Sequence, residues 1–127
     1  LVRRVDLDTI TFDTGSAFVT ESQVALLGDI AGGMLDVIEK DPSAVFLIEG
    51  HTDAVGSELS NLTLSDRRAE AVARILTEAY EVPPENMVVQ GYGEAYPKVE
   101  TEGPERANRR VALRNCGATA PVLFTAR

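Results

Sequence analysis

Ala44-Val45-Phe46-Leu47-Ile48 is an unbroken apolar run of five residues. With no polar parity, such a run reads as a strand covered on both faces, the centre of a partly parallel sheet. Asp41-Pro42 stands just before it and ends a helix. Gly50-His-Thr-Asp-Ala-Val-Gly56 stands just after it and reads as a loop bounded by glycines. On the N-terminal side, Thr20-Glu-Ser-Gln23 fits a capping box, with Thr20 as the cap and Gln23 reaching back. Val24, Leu27, Ala31, Met34 and Ile38 follow at steps of three and four, the stripe of an amphipathic helix. Gly32 and Gly33 inside that helix cost roughly 1 kcal/mol each against alanine, so they are expected to permit close packing on the sheet. On the C-terminal side a second helix spans about 61–80. Leu64, Val72, Leu76 and Ala79 form its expected buried stripe, and Pro83-Pro84 ends it.

Further out, Thr9-Ile-Thr-Phe12 alternates and predicts the first strand. Val5 and Leu7 lie in the opposite phase, so the strand starts near Thr9 or carries a bulge. Asp13 to Ser16 is a loop. Met87-Val-Val-Gln90 predicts a third strand, closed by Gly91-Tyr-Gly93, and a polar loop runs from Glu94 to Ala107. Arg110-Val-Ala-Leu-Arg114 alternates again, with Val111 and Leu113 inward and Arg110 and Arg114 outward. The stretch 117–127 is weakly patterned, with Val122-Leu-Phe124 as a candidate edge strand. The order is βαβαββ. Helix crossovers make the early strands parallel neighbours, and the last connection returns antiparallel. The fold class is α+β: a two-layer sandwich with helices on one face of a small mixed sheet. One domain fills 1–127, with a core at about 9–114 and a tail at 115–127.

The chain has 127 residues, enough for one core. Twenty acidic and twelve basic residues give a net charge of −8, the wrong sign for gripping a nucleic-acid backbone. Apolar residues make up 44% and charged ones 25%, a globular rather than disordered balance. No apolar run reaches the roughly 18 residues of a spanning helix. Cys116 is the lone cysteine, which excludes an internal disulfide and a multi-cysteine zinc cage. The chain starts at Leu1 without a signal peptide, so either targeting was removed or this is part of a longer protein.

Few residues here carry chemistry. His51 is the lone histidine and, with Asp53, supplies at most two metal ligands. No Gly-x-Ser-x-Gly elbow accompanies it. His51 is therefore read as structural, and no metal, cofactor or catalytic residue is expected. Gly91-Tyr-Gly93 lacks the third glycine of a dinucleotide fingerprint and is read as backbone geometry at a strand end. Arginines group on the second helix (Arg67, Arg68, Arg74) and around the last strand (Arg106, Arg109, Arg110, Arg114). In a chain this acidic, Arg68 near the loop carboxylate Asp53 is a candidate site for a ligand bearing both signs. A surface salt bridge between the two, worth about 0–1 kcal/mol, is the plain alternative.

Phe12-Asp-Thr-Gly-Ser16, Gly50-His-Thr-Asp53, Gly56-Ser57, Asn61-x-x-Leu64-Ser65-x-x-Arg68-Ala69-x-x-Val72-x-x-x-Leu76, Gly91-Tyr-Gly-Glu94 and Asn108-Arg-Arg-Val111 occur in that order. This ordered set resembles the OmpA-like domain of OmpA C-terminal regions, peptidoglycan-associated lipoproteins and the MotB stator family. The resemblance covers roughly 9–114. It implies a non-enzymatic periplasmic domain of a Gram-negative cell-envelope protein, outer-membrane associated, that binds the peptidoglycan stem peptide without covalent chemistry.

Carried over, Asp53 and Arg68 hold meso-diaminopimelate, Asp53 accepting from its ammonium and Arg68 pairing with its carboxylate. Asp13, Thr14, Gly15, Ser16, Asn61 and Leu64 match groove positions, with Leu64 read chiefly as packing. Of Arg109 and Arg110, one is expected to contact the ligand and the other to orient the site. The membrane anchor is expected in a parent protein, outside this chain, and an exposed sheet edge would allow a homodimer. The alternative is an envelope protein-interaction module that does not bind peptidoglycan.

Overall fold

The computed structural model describes the backbone of residues 3–5 and all of residues 10–116. The elements run β1 (Arg3–Val5), α1 (Glu21–Lys40), β2 (Phe46–Gly50), α2 (Glu58–Glu78), β3 (Met87–Gly91) and β4 (Val111–Asn115). The order is the expected βαβαββ. The apolar run becomes β2, buried at every position, because it lies inside the sheet with a neighbour on each side. The strand order is β1-β4-β2-β3. β2 pairs with β3 in parallel and with β4 antiparallel. β1 pairs antiparallel with β4, so β4 separates the first two strands, which are not the neighbours expected.

The first strand is also displaced. Thr9–Phe12 was expected to form it, yet β1 occupies Arg3–Val5. Of the expected segment, Thr11 makes one isolated bridge to Arg110. The phase change between Val5 and Ile10 is the physical reason, since one uninterrupted strand cannot turn both sets of side chains to the core. Ile10 and Phe12 are still fully buried. Phe12 N–H donates to the Arg109 carbonyl at 3.0 Å.

α1 opens on the predicted capping box: Gln23 N–H donates to Thr20 Oγ1 at 3.4 Å, and Thr20 N–H to Gln23 Oε1 at 3.0 Å. Leu27, Ala31 and Met34 bury, with Val24 and Ile38 packed alongside. Gly32 and Gly33 face solvent, and a Cβ on either would meet nothing within 4 Å. The close packing expected of them falls instead to Gly28, where a Cβ would lie 3.1 Å from the Tyr80 ring.

α2 begins three residues before the expected start, capped by Ser57, whose Oγ accepts from Ser60 N–H at 3.1 Å. Its buried stripe is Asn61, Ser65, Arg68, Ala69, Val72 and Leu76. Leu64 is only half-buried and Ala79 is exposed, against expectation. The first half of the stripe is polar because it lies over loops at the strand ends, where backbone groups need partners. Gly50 and Gly91 are register partners on β2 and β3, and α2 lies directly on them. A Cβ at Gly50 would run into the Ser65 carbonyl, and one at Gly91 into the Ser65 hydroxyl and the Asp66 carboxylate.

Val111 and Leu113 point into this core as predicted. Arg110 was expected to face outward. It is 5% exposed, and its Nη2 donates to the Tyr96 carbonyl at 3.2 Å. Val45, Leu47, Cys116 and Val88 form a second, smaller cluster. The candidate edge strand Val122–Phe124 lies outside the described residues. No described helix is long and apolar enough to cross a membrane.

Candidate functional site

The N-terminal half of α2 is pinned to the sheet by two short side chains. Ser65 Oγ accepts from Gly93 N–H at 2.9 Å, and Asp66 Oδ1 from Gly91 N–H at 2.8 Å. That docking delivers Arg68, one turn on, beneath the loops that leave β2 and precede α1. Arg68 is fully buried. Its Nε donates to the Ser16 carbonyl at 2.8 Å, Nη1 to the His51 carbonyl at 3.1 Å and Nη2 to the Asp13 carbonyl at 3.1 Å. The guanidinium lies 5.1 Å from the centre of the Phe12 ring, a cation–π distance. Burial pushes its pKa down to about 10, with Asp53 opposing and Arg109 adding to the fall. The group stays charged at neutral pH.

Asp53 is 5% exposed and closes on Arg109, not on Arg68. Arg109 Nη1 donates to Asp53 Oδ2 at 2.7 Å, and its Nε to the Phe12 carbonyl at 2.7 Å. Glu105 N–H and Val55 N–H, each at 3.3 Å, also donate to the Asp53 carboxylate. Burial is the largest influence on Asp53 and opposes its ionisation. The Arg109 bond and the two backbone donors together outweigh it, holding the carboxyl below its usual range. Asp53, Arg68 and Arg109 thus sum to one positive charge in a chain of net charge −8.

Asn61 braces the floor. Its Nδ2 donates to the Val55 carbonyl at 3.0 Å, the Asp53 carbonyl at 3.3 Å and Glu94 Oε1 at 2.9 Å. The loop from Asp13 to Ser16 forms the roof: Ser16 N–H returns to the Asp13 carbonyl at 3.1 Å, with Gly15 at φ +70°. Thr14 sits at its exposed tip. Arg106 clasps this roof from the opposite loop through an ion pair to Asp13. Leu64 is half-buried on α2, and Arg110 makes its Tyr96 bond on the other side of β4 from Val111. The structure therefore gathers Asp53, Arg68, Arg109, Asn61 and the Asp13–Ser16 loop around one point and leaves Arg110 out.

Three contributors lay outside the sequence reading of the site. Glu105 supplies a backbone donor and Arg106 the clasp. Asn108 holds the intervening loop: its Oδ1 accepts from Lys98 N–H at 2.7 Å and Val99 N–H at 2.8 Å, and its Nδ2 donates to the Val99 carbonyl at 2.8 Å. Of these, Arg106 falls in the arginine group around the last strand and Asn108 opens the Asn-Arg-Arg-Val motif, while Glu105, acting through its backbone, carries no signal.

Comparison with known proteins locates this arrangement. Outer membrane porin F of Pseudomonas aeruginosa is 39% identical over 112 residues, covering 87% of this chain and 31% of the relative. Outer membrane protein A of Escherichia coli O157:H7 is 30% identical over 107 residues, covering 84% and 30%. The chain thus spans about a third of the length of these relatives. In structure it is similar to the peptidoglycan-associated lipoprotein from Burkholderia pseudomallei, with a TM-score of 0.68 and 27% identity, covering 84% of this chain and 86% of that one. The C-terminal domain of Helicobacter pylori MotB shares the fold, with a TM-score of 0.71 at 21% identity, covering 92% and 91%. The family model for OmpA matches residues 11–110, which hold the Arg68 site and most of the core, and this chain belongs to the OmpA family.

Proposed function

We propose that this domain binds the diaminopimelate-bearing stem peptide of peptidoglycan and so tethers a membrane-attached parent protein to the cell wall. On this reading it is a periplasmic binding module of a Gram-negative envelope, without catalysis of its own. One observation carries the proposal: among the described residues, the three hydrogen bonds of the buried Arg68 guanidinium all go to main-chain carbonyls and none to a carboxylate. A buried charge without a directly bonded counter-ion is costly, and a ligand carboxylate would supply that bond. Two of its five N–H groups remain after those three bonds. Opening of the Asp13–Ser16 loop would release two more. Exchanging a neutral carbonyl for a carboxylate roughly doubles the strength of each such bond. The ammonium of diaminopimelate would find Asp53, already held ionised by Arg109.

A small zwitterionic epitope implies modest affinity per site. The wall offers many copies, and many tethers per cell raise retention through effective concentration. The test is an NMR titration of the labelled domain with L-Ala-γ-D-Glu-meso-diaminopimelate, beside Arg68→Lys and Asp53→Asn. Saturable shifts around residues 13–16, 53 and 68, lost in both folded variants, support the reading. The lysine-containing peptide, which lacks the second carboxylate, should bind at least tenfold more weakly. Wild type without shifts refutes it.

A second reading has its own observation. Leu59 is 76% exposed and Leu62 43%, and they wall a groove of about 610 Å³ with Glu58, Tyr92 and Glu94. Exposed apolar side chains beside a groove suit protein docking, which would make the domain an assembly module.

A further inference from the structure

A groove of about 610 Å³ runs between the start of α2 and the turn that follows β3. One wall is Leu59 and Leu62, a helical turn apart on the same flank of α2 and 76% and 43% exposed. Isolated exposed leucines are ordinary, but two in register along one cleft make a patch. The other wall is the turn Gly93-Glu94-Ala95. Gly93 has φ +59°, and a Cβ on it would lie 3.4 Å from the Leu62 main-chain nitrogen. The turn therefore brings bare backbone against α2. Two bonds hold the walls together: Gly93 N–H donates to Ser65 Oγ at 2.9 Å, and Asn61 Nδ2 to Glu94 Oε1 at 2.9 Å. The cleft is thus built before any partner arrives, which lowers the entropy that docking must overcome.

Charge decides the occupant. Among the described residues, the charged side chains lining the groove are Glu58 and Glu94, and no lysine or arginine lines it. Glu58 is exposed. Glu94 accepts the Asn61 bond and, as a carboxylate, keeps capacity for others. Two carboxylates beside an apolar cleft, on a chain of net charge −8, repel an acidic protein, an anionic lipid surface and a second copy of this chain. They attract a segment that combines apolar side chains with cations. The Leu59–Leu62 ridge has the three-residue spacing against which another helix packs. We propose that this groove docks a short amphipathic helix of a basic partner protein. Its apolar stripe lies on Leu59 and Leu62, and its lysines or arginines stand beside Glu58 and Glu94. The identity of the partner rests on the docking reading of this groove and is independent of stem-peptide binding.

The test titrates the labelled domain with a synthetic helix of about 20 residues, past the length at which isolated helices are marginal in water. Leucines form its stripe and lysines flank them. A matched peptide carries glutamate for every lysine. Saturable shifts at residues 58–62 and 93–95 are expected with the lysine helix and none with the glutamate one. Leu59→Ser, a change at an exposed position, should weaken binding about tenfold through lost apolar burial. Glu58→Gln should weaken it about threefold. No saturable shifts at millimolar lysine helix, shifts elsewhere only, or wild-type affinity in Leu59→Ser would each overturn the proposal. So would concentration-dependent shifts at these residues without peptide, which would make the occupant a second copy, or shifts with anionic vesicles alone, which would make it a membrane. Equal binding of the two helices would keep a docking groove and remove the basic partner. The stem peptide reports at 13–16, 53 and 68 instead, so either site can fail while the other stands.

Discussion

Arg109→Met tests the electrostatics of the site most sharply. The substitution keeps an apolar stem of similar length and removes the guanidinium. Two bonds go with it, to Asp53 Oδ2 and to the Phe12 carbonyl, both at 2.7 Å. Both side chains of the ion pair are almost buried, at 10% and 7% exposure. Breaking such a pair by deleting one partner costs about 3–5 kcal/mol, because the other charge stays in place. Asp53 retains only two backbone donors, each at 3.3 Å.

The pH dependence then separates this account from simple loss of packing. In wild type the folded pKa of Asp53 is lowered. Its contribution to stability is therefore present above the unfolded value of about 3.9 and is lost as pH falls through the folded value. In the variant the strongest contact opposing burial is gone, so the folded pKa rises from its wild-type position. Asp53 then contributes less stability at neutral pH than in wild type, and that difference fades as acid protonates the carboxyl. Urea titrations should give a difference of about 3–5 kcal/mol at pH 7. At a pH below the lowered folded value of Asp53 only the Phe12 bond and packing remain, about 1–2 kcal/mol. An equal difference at both pH values would refute the claim that Arg109 acts by compensating a buried carboxylate.

Gly50→Ala should be among the most damaging single methyl additions in the domain, at about 3 kcal/mol or more in urea unfolding, because the new Cβ meets the Ser65 main chain on α2 rather than a movable side chain. Asn108→Ala should cost about 2–3 kcal/mol, since two loop N–H groups and one carbonyl lose their partner together. Arg106→Ala removes an exposed clasp, so thermal unfolding should move by no more than about 1 kcal/mol equivalent, while stem-peptide association, measured by stopped flow, should quicken as the Asp13–Ser16 roof opens more often. Thr20→Ala should lower stability by about 1 kcal/mol through loss of the α1 cap, read by the midpoint in urea.

What could be read from the sequence follows from how local each cause is. The α1 capping box and the Val24-to-Ile38 stripe involve residues within one or two turns, and both formed as expected. β2 was legible because an unbroken apolar run has few other places to go. β1 was misplaced because alternation near residue 10 looks the same whether the backbone joins the ladder or merely buries Ile10 and Phe12. Placing β4 between β1 and β2 is a choice among long-range pairings, and no single segment encodes it.

The site divides along the same line. Asp53 and Arg68 are legible as a pair because an arginine early in the second helix and a carboxylate in the loop leading to it suit a ligand bearing both signs in an acidic chain, and because both fall on motif positions of the family resembled. Their mutual geometry was not legible. The partner of Asp53 is Arg109, 56 residues away in sequence, and Arg68 is satisfied by backbone carbonyls, which carry no residue identity at all. That last point bears on function. A guanidinium held by side-chain carboxylates would be settled structure, and a ligand would have to compete with another full charge. One held by carbonyls of an exposed loop gives up weaker bonds to gain stronger ones. On the proposed function, the arrangement least visible in the sequence is thus the one on which capture of a ligand carboxylate by Arg68 would depend.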